Sequence, residues 1–182
     1  MGKELFLAQF FLKGFYFMAY KVFIDGKEGT TGLKIFERFE NRNDIEILSI
    51  SEELRKDTKE RQRLINESDF TFLCLPDAAA IESASLCTNP NTKIIDASTA
   101  HRTNPDWAYG FPELDKSFRE KIQKSNRVAT PGCYASGFIA LGYPLVQKGI
   151  MGKDYPVTIH AVSGYSGAGK KAIAQYGDPN RD

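Results

Sequence analysis

The sequence predicts an α/β fold in which crossover helices connect the strands of a parallel sheet. Short apolar runs rich in β-branched and aromatic residues alternate with stretches of helical periodicity. The runs lack polar alternation, which is typical of strands covered on both faces. With 182 residues the chain can form one large or two small domains, and its 24 basic and 23 acidic side chains give no electrostatic reason to bind nucleic acid.

The predicted elements follow one another in alternating order. Strands are predicted where apolar runs end at turn residues or charges: 21–24, 45–50, 70–75, 93–96 and 127–129. Helices are predicted where apolar residues recur at helical spacing or charges mark a solvated face: 31–39, 51–65, 78–86 and 138–148. The alternation of the two sets favours βαβ units.

The chain changes character after residue 132. A further strand is predicted at 156–162, followed by a glycine-rich loop at 163–169 and by no other helix or strand. One strand and a loop cannot bury a face of their own. We therefore expect a first domain at 19–132 and the incomplete beginning of a second domain at 133–182.

The first eighteen residues differ from the rest. Their apolar run is interrupted by Lys13 and Gly14, so it is shorter than the roughly 20 residues that a membrane span needs, and it lacks a small-residue cleavage site. We expect residues 1–18 to lie outside the fold. Met18 is the expected native start, which makes residues 1–17 an upstream extension. No membrane association is predicted.

Three glycines at three-residue spacing lie between the first strand and the first helix. They are Gly26, Gly29 and Gly32, with Thr30 and Thr31 between the last two. Such a turn lets backbone N–H groups approach a pyrophosphate at a helix N-terminus. The spacing differs from the commoner G-x-G-x-x-G, so both a dinucleotide site in a Rossmann-like domain and a simple connecting turn remain open.

The end of the second strand bears on which dinucleotide would bind. An NAD site usually has an acidic residue there, whereas this strand closes with Ser49 and Ser51, and Arg55 and Lys56 follow. Hydroxyl groups and cations suit an additional 2′-phosphate. We therefore predict NADP(H), with an exposed helix face as the alternative interpretation of the two cations.

Cys133 is the predicted nucleophile. It follows a Pro-Gly turn and precedes a helical pattern, so its thiol would face the unpaired N–H groups of a helix N-terminus, which favour the thiolate. A small buried hydrophobic residue is the alternative. The three cysteines form no metal or disulfide spacing, which suits a reducing, cytoplasmic location, and no metal site is predicted.

Taken in order, these segments resemble the short form of the N-acetyl-γ-glutamyl-phosphate reductases over roughly residues 19–182. The matching stretches are VFIDG at 22–26, GTTG at 29–32, FLCLPD at 72–77, DASTAHR at 96–102, YGFPEL at 109–114, TPGCYASG at 130–137 and SGYSG at 163–167. The resemblance implies a Rossmann-like NAD(P)-binding domain followed by the start of an α+β catalytic domain of the semialdehyde dehydrogenase type.

The resemblance also implies a reaction. NADPH would reduce the acyl phosphate of N-acetyl-glutamyl phosphate through a thioester on Cys133, as a step of arginine biosynthesis. Ser98 and Arg102 would contact the substrate, and Ser163 and Gly164 would hold its phosphate or carboxylate. A homo-oligomer is expected when the protein is full length.

The chain departs from the family pattern in its histidines. The family's acid/base histidine lies downstream, beyond Asp182, and neither His101 nor His160 matches it. We therefore expect this chain alone to be weakly active or inactive. Two alternatives stay open: an enzyme like aspartate-semialdehyde dehydrogenase, and a dinucleotide-binding fragment without chemistry of its own.

Overall fold

The computed structural model describes residues 19–162, 164, 167 and 169–178. Among them, six parallel strands form one sheet: β1 (Tyr20–Asp25), β2 (Ile45–Leu48), β3 (Phe70–Leu73), β4 (Lys93–Asp96), β5 (Ala108–Tyr109) and β6 (Arg127–Ala129). The helices are α1 (Thr30–Phe39), α2 (Thr58–Glu67), α3 (Asp77–Ser85), α4 (Lys116–Lys124), α5 (Cys133–Gln147) and α6 (Gly169–Tyr176). The predicted α/β fold with a parallel sheet is confirmed.

Because all six strands are parallel, their carboxyl ends lie at one edge of the sheet. The strand order is β2-β1-β3-β4-β6-β5, so the chain leaves β1 toward one side and returns to its other side at β3. In parallel sheets ligands bind outside the carboxyl ends, at the point where the strand order reverses. The fold therefore places the candidate site beside the ends of β1 and β3.

Two clusters of buried side chains hold the helices to the sheet. Phe23, Leu64 and Ile65 join β1 to α2. A second cluster joins the central strands to α3 and the loop before β5, and it consists of Leu73, Ala80, Ile94, Trp107 and Ala129. Cys87 contacts both clusters, which makes the sheet and these helices one packed body.

The predicted helix at 51–65 is wrong in its first half. Residues 52–56 form turns, and α2 begins only at Thr58. Asp57 is the N-cap residue, and its carboxylate accepts a hydrogen bond of 2.8 Å from the backbone N–H of Glu60. The charged residues before this cap therefore lie in a loop at the ligand-binding edge.

The predicted strand at 156–162 is also wrong. This segment is exposed and has no regular structure, because no strand lies beside it among the described residues to complete a ladder. Conversely, the short strand β5 and the helices α4 and α6 were not predicted. α4 carries no fully buried residue, and its apolar face consists of the half-buried Phe118 and Ile122, four residues apart, which is a short signal in a segment of nine residues.

In the part of the chain that the structure describes, no helix combines the length and apolar character that crossing a membrane requires.

The α2 contact with the sheet can be tested by truncating a core side chain. Ile65 is fully buried against Phe23, so Ile65→Ala should lower the free energy of unfolding by about 2–5 kcal/mol. Chemical denaturation followed by circular dichroism measures this change. The matched control is Leu54→Ala, at a position that is 45% exposed, and a loss as large as that of Ile65→Ala would contradict the described packing.

Candidate active site

The glycine turn packs directly on the end of β3. Gly26 has a φ of +87°, in the left-handed region that side chains disfavour. A β-carbon there would also overlap the carbonyl oxygen of Cys74. The backbone N–H of Cys74 in turn donates a hydrogen bond of 2.8 Å to the Asp25 carbonyl. Gly26 is therefore fixed by both conformation and space.

The N-terminus of α1 faces the same edge of the sheet. Gly29 is the N-cap residue, no side chain caps this end, and the first turn, which contains Thr30, Thr31 and the buried Gly32, has no acidic residue. The first N–H groups of the helix are thus available to an anion. This arrangement fits the pyrophosphate of a dinucleotide.

A cavity of about 370 Å³ runs from this turn along the ends of β2 and β3. Its walls are the glycine turn with Lys27, the residues at the ends of β1, β2 and β3, and two cations of the loop before α2: residues 23–29, 47–50, Arg55, Lys56 and 74–76. Ser49 therefore lines the cavity as predicted by its position at the end of β2. Cavity size and chemistry both suit the adenosine half of a dinucleotide.

The two predicted phosphate ligands beside Ser49 are differently placed. Arg55 lines the cavity but also forms a half-exposed ion pair of 2.9 Å with Glu52. Ser51 is not among the lining residues, and hydrogen bonds to the Glu53 carboxylate, first from the Glu53 backbone and then from the Ser51 side chain, lower the pKa of that carboxyl. Lys56 lines the same cavity, and the contact of Arg55 or Lys56 with a 2′-phosphate stays a prediction.

Cys133 is the first residue of α5, and its side chain is exposed. The N-cap residue is Gly132, and no side chain caps the helix. The backbone N–H of Ser136 donates 2.8 Å to the Gly132 carbonyl, which leaves the N–H groups of the first turn beside the thiol. These groups can stabilise either a thiolate or an oxyanion.

The turn before Cys133 is held by Arg102. Its Nε donates 2.9 Å to the Thr130 carbonyl, and its Nη2 donates 3.2 Å to the Ala97 carbonyl. A β-carbon at Gly132 would lie 2.8 Å from Arg102 Nη1, so this guanidinium packs against the turn. Arg102 thus joins the end of β4 to the turn before Cys133, and its predicted contact with substrate stays a prediction.

Ser98 and His101 are organised by the fully buried carboxylate of Asp96. The carboxylate accepts hydrogen bonds from the Ser98 N–H at 2.9 Å and the Ser98 hydroxyl at 2.7 Å, and it lies 2.7 Å from His101 Nδ1. The imidazole stacks on Trp107 with ring centroids 3.9 Å apart. His101 is therefore a packed structural residue, and the hydroxyl of Ser98 already has a protein partner.

A second cavity, of about 550 Å³, lies beside Cys133. It is lined by α5 and by the segment that had been predicted as a strand, including Leu141, Ile159 and His160. That His160 lines the same cavity as Cys133 was not predicted, because that residue was assigned to a strand. Gly164 is exposed, and its carbonyl accepts a hydrogen bond of 3.0 Å from Gly167, whereas Ser163 lies outside the described residues.

The other two cysteines lie in different environments. Burial, followed by the negative charges of Asp25 and Asp96, raises the pKa of the Cys74 thiol to about 12. Cys87 is partly buried, and its Sγ lies 3.6 Å from the Asn89 carbonyl. Cys133 alone among the three is exposed.

Comparison with known proteins agrees with this site. Residues 21–125 match the family described as "Semialdehyde dehydrogenase, NAD binding domain", and residues 133–182 match the family described as "Semialdehyde dehydrogenase, dimerisation domain". The chain belongs to the semialdehyde dehydrogenases. The first match places the glycine turn and the cavity described above within an NAD-binding domain.

Curated relatives within this family confirm the resemblance predicted from the sequence. The chain is 51% identical over 158 residues to N-acetyl-gamma-glutamyl-phosphate reductase 2 of Pseudomonas putida, covering 87% of this chain and 50% of the relative. It is 52% identical over 165 residues to the N-acetyl-gamma-glutamyl-phosphate reductase of Chelativorans sp., covering 91% and 53%. The chain spans about half the length of the curated relatives it matches.

Solved structures of more distant members show the same fold. Aspartate semialdehyde dehydrogenase II from Vibrio cholerae, complexed with ASA, superposes with a TM-score of 0.59 at 15% identity over 86% of this chain and 50% of that one. Aspartate semialdehyde dehydrogenase from Francisella tularensis superposes with a TM-score of 0.60 at 16% identity, over 86% of this chain and 48% of that one. These likenesses support the architecture alone.

The three cysteine environments predict selective alkylation. At pH 8 the raised pKa of Cys74 leaves a thiolate fraction of roughly one in ten thousand, so iodoacetamide should modify Cys133 at least about tenfold faster. Peptide mass spectrometry over time measures the rates, and Cys133→Ser is the control that should remove the fast site. Fast labelling of Cys74 would contradict its described burial.

Proposed function

We propose that this chain carries the dinucleotide site and the nucleophile of an NADPH-dependent N-acetyl-glutamyl-phosphate reductase of arginine biosynthesis. The observation that carries the proposal is the exposed Cys133 at an uncapped helix N-terminus, on the same sheet edge as a cavity that suits the adenosine half of a dinucleotide. The names of the relatives that are 51–53% identical supply the substrate. The match to a dimerisation domain supports a homo-oligomer for the whole enzyme.

The residues of the first cavity fit NADPH. The N–H groups of Thr30 and Thr31, next to Gly29, would hold the pyrophosphate, and Ser49 and Lys56, with Arg55 released from Glu52, would hold the 2′-phosphate. NADPH, when bound, supplies the hydride that reduces the acyl group. A smaller cavity of about 140 Å³ is lined by residues 29–31, Cys74, Leu75 and Ala97 and leads toward the Arg102 side of the site.

Cys133 performs the first chemical step. Its thiolate attacks the acyl carbon of N-acetyl-glutamyl phosphate, a C–S bond forms, and the C–O bond to phosphate breaks with the electron pair leaving on inorganic phosphate. The negative charge on the acyl oxygen would be stabilised by the first-turn N–H groups of α5. After reduction, the thiolate is expelled and the semialdehyde is released.

The substrate contacts follow from the same geometry. Arg102 holds the turn before Cys133 by two main-chain hydrogen bonds, so its Nη1 is the atom that would face a substrate anion. Ser98, whose hydroxyl donates to Asp96, would lie beside the substrate. Ser163 and Gly164 would help to bind the phosphate or carboxylate of the substrate. An aspartyl-phosphate substrate is the alternative, which the fold of the distant structures allows but which the named relatives do not favour.

The covalent step predicts an acyl-enzyme. Incubation with N-acetyl-glutamyl phosphate should add one N-acetyl-glutamyl group to Cys133 and release one phosphate, both detected in intact-protein and peptide mass spectra. Cys133→Ser should show neither, and Cys87→Ser is the matched control that should react normally. A preference for aspartyl phosphate would favour the alternative substrate, and no adduct with either compound would overturn the nucleophilic role.

The cofactor assignment predicts a contribution from Lys56. Lys56→Gln should weaken NADPH binding by about tenfold or more, because it removes a charge-assisted contact to the 2′-phosphate, and should leave NADH binding nearly unchanged. Lys59→Gln, an exposed cation outside the cavity, is the control. Fluorescence titration gives the affinities, and equal losses for both dinucleotides would place the 2′-phosphate elsewhere.

A further inference from the structure

We propose that Arg61 and Asp25 form a positioning pair, which sets the loop carrying Arg55 and Lys56 at the correct distance from the glycine turn and so determines the preference for a 2′-phosphorylated dinucleotide. The inference rests on the proposed function, since it concerns the cavity assigned to NADPH. Arg61 does not line that cavity.

Asp25 is the last residue of β1, directly before Gly26. One oxygen of its carboxylate, Oδ2, accepts hydrogen bonds from Arg61 Nε at 3.1 Å, Arg61 Nη2 at 3.0 Å and the Ser83 hydroxyl at 2.5 Å. The two donors of Arg61 belong to one planar fork, which fixes direction as well as distance. The end of β1 is therefore bound to α2 and to α3 through a single oxygen atom.

Backbone hydrogen bonds connect Arg61 to the loop before α2, which lines the cavity. A continuous set of backbone hydrogen bonds runs through this loop: Leu54 N–H to Ser51 at 3.1 Å, Asp57 N–H to Leu54 at 2.7 Å, and Arg61 N–H to Asp57 at 3.0 Å. Arg55 and Lys56 lie inside this set. A shift of Arg61 would therefore move both cavity-lining cations relative to Gly26.

The ion pair of Arg61 and Asp25 is much more buried than the ion pairs of Arg63 on the same helix. The side chains of Arg61 and Asp25 are only 9% and 6% exposed, whereas Arg63, two residues along the same helix, is 55% exposed in its pairs with Glu60 and Glu67. Glu82 lies 3.3 Å from Arg61 Nη1 at the solvent side. A buried ion pair adds little net stability but tolerates few geometries, which is what a positioning element needs.

The test compares dinucleotide affinities of the intact protein and three variants. Arg61→Gln should weaken NADPH binding by about tenfold and NADH binding by less than about threefold, because NADH lacks the phosphate that the displaced cations would contact. Arg61→Lys keeps the charge without the fork and should fall between Arg61→Gln and the unchanged protein. Arg63→Gln, which removes an exposed pair on the same helix, should leave both affinities unchanged.

The outcomes separate the inference from the proposed function. Equal losses for NADPH and NADH, or no loss, in a folded Arg61→Gln protein would overturn the positioning role while leaving the cofactor assignment intact. Failure of the unchanged protein to bind either dinucleotide would overturn both. If Arg61→Gln fails to fold, Arg61→Lys decides, because it keeps the charge and removes the two-donor fork to Asp25: a lowered NADPH-to-NADH preference supports the inference, and an unchanged preference overturns it.

Discussion

The close approach of the glycine turn to the end of β3 is the constraint on which the site depends. Gly26 adopts a backbone conformation that side chains disfavour and lies against the Cys74 carbonyl, where no β-carbon fits. This packing aims the N-terminus of α1 across the strand ends and closes one wall of the cavity. The remaining walls are set by the parallel strands themselves, whose carboxyl ends meet at this edge.

Two buried carboxylates at strand ends organise the loops around that edge. Asp25, at the end of β1, binds donors from α2 and α3, and Asp96, at the end of β4, binds Ser98 and His101. Each carboxylate holds nearby segments of the chain in place through several hydrogen bonds. Because unpaired buried charges are costly, each carboxylate requires its full set of partners, which restricts the loops to one arrangement.

The turn before Cys133, the proposed nucleophile, is held by hydrogen bonds to the end of β4. The Thr130 N–H donates 2.8 Å to the Asp96 carbonyl, and the Thr130 carbonyl accepts from Arg102, so the turn before Cys133 is tied to the end of β4 on both sides. The dinucleotide cavity and the Cys133 thiol are thus both positioned by the ends of strands in one sheet. This shared support is the physical reason for proposing that both serve a single reaction.

Local sequence patterns predicted five of the six strands, the glycine turn and the exposed thiol, because each depends on neighbours within a few residues. The pattern at 156–162 predicted a strand wrongly, since alternation of residues cannot show whether a partner strand is present. The pair of Asp25 and Arg61 joins residues 36 apart in the chain, and in the sequence Arg61 is only one charge within a polar run. Ser51 was predicted as a ligand because it closes the second strand together with Ser49; it is not among the residues that line the cavity, and its contact with the cofactor stays a prediction.

A crystal structure of the protein with NADP bound tests the central claim most directly. The account predicts the pyrophosphate at Gly29–Thr31, the 2′-phosphate beside Lys56, and the nicotinamide ring on the Cys133 side, with its C4 atom within about 4 Å of the acyl position next to Sγ. A dinucleotide bound elsewhere, or one whose nicotinamide points away from Cys133, would contradict the assignment of the cavity and the thiol to one active site.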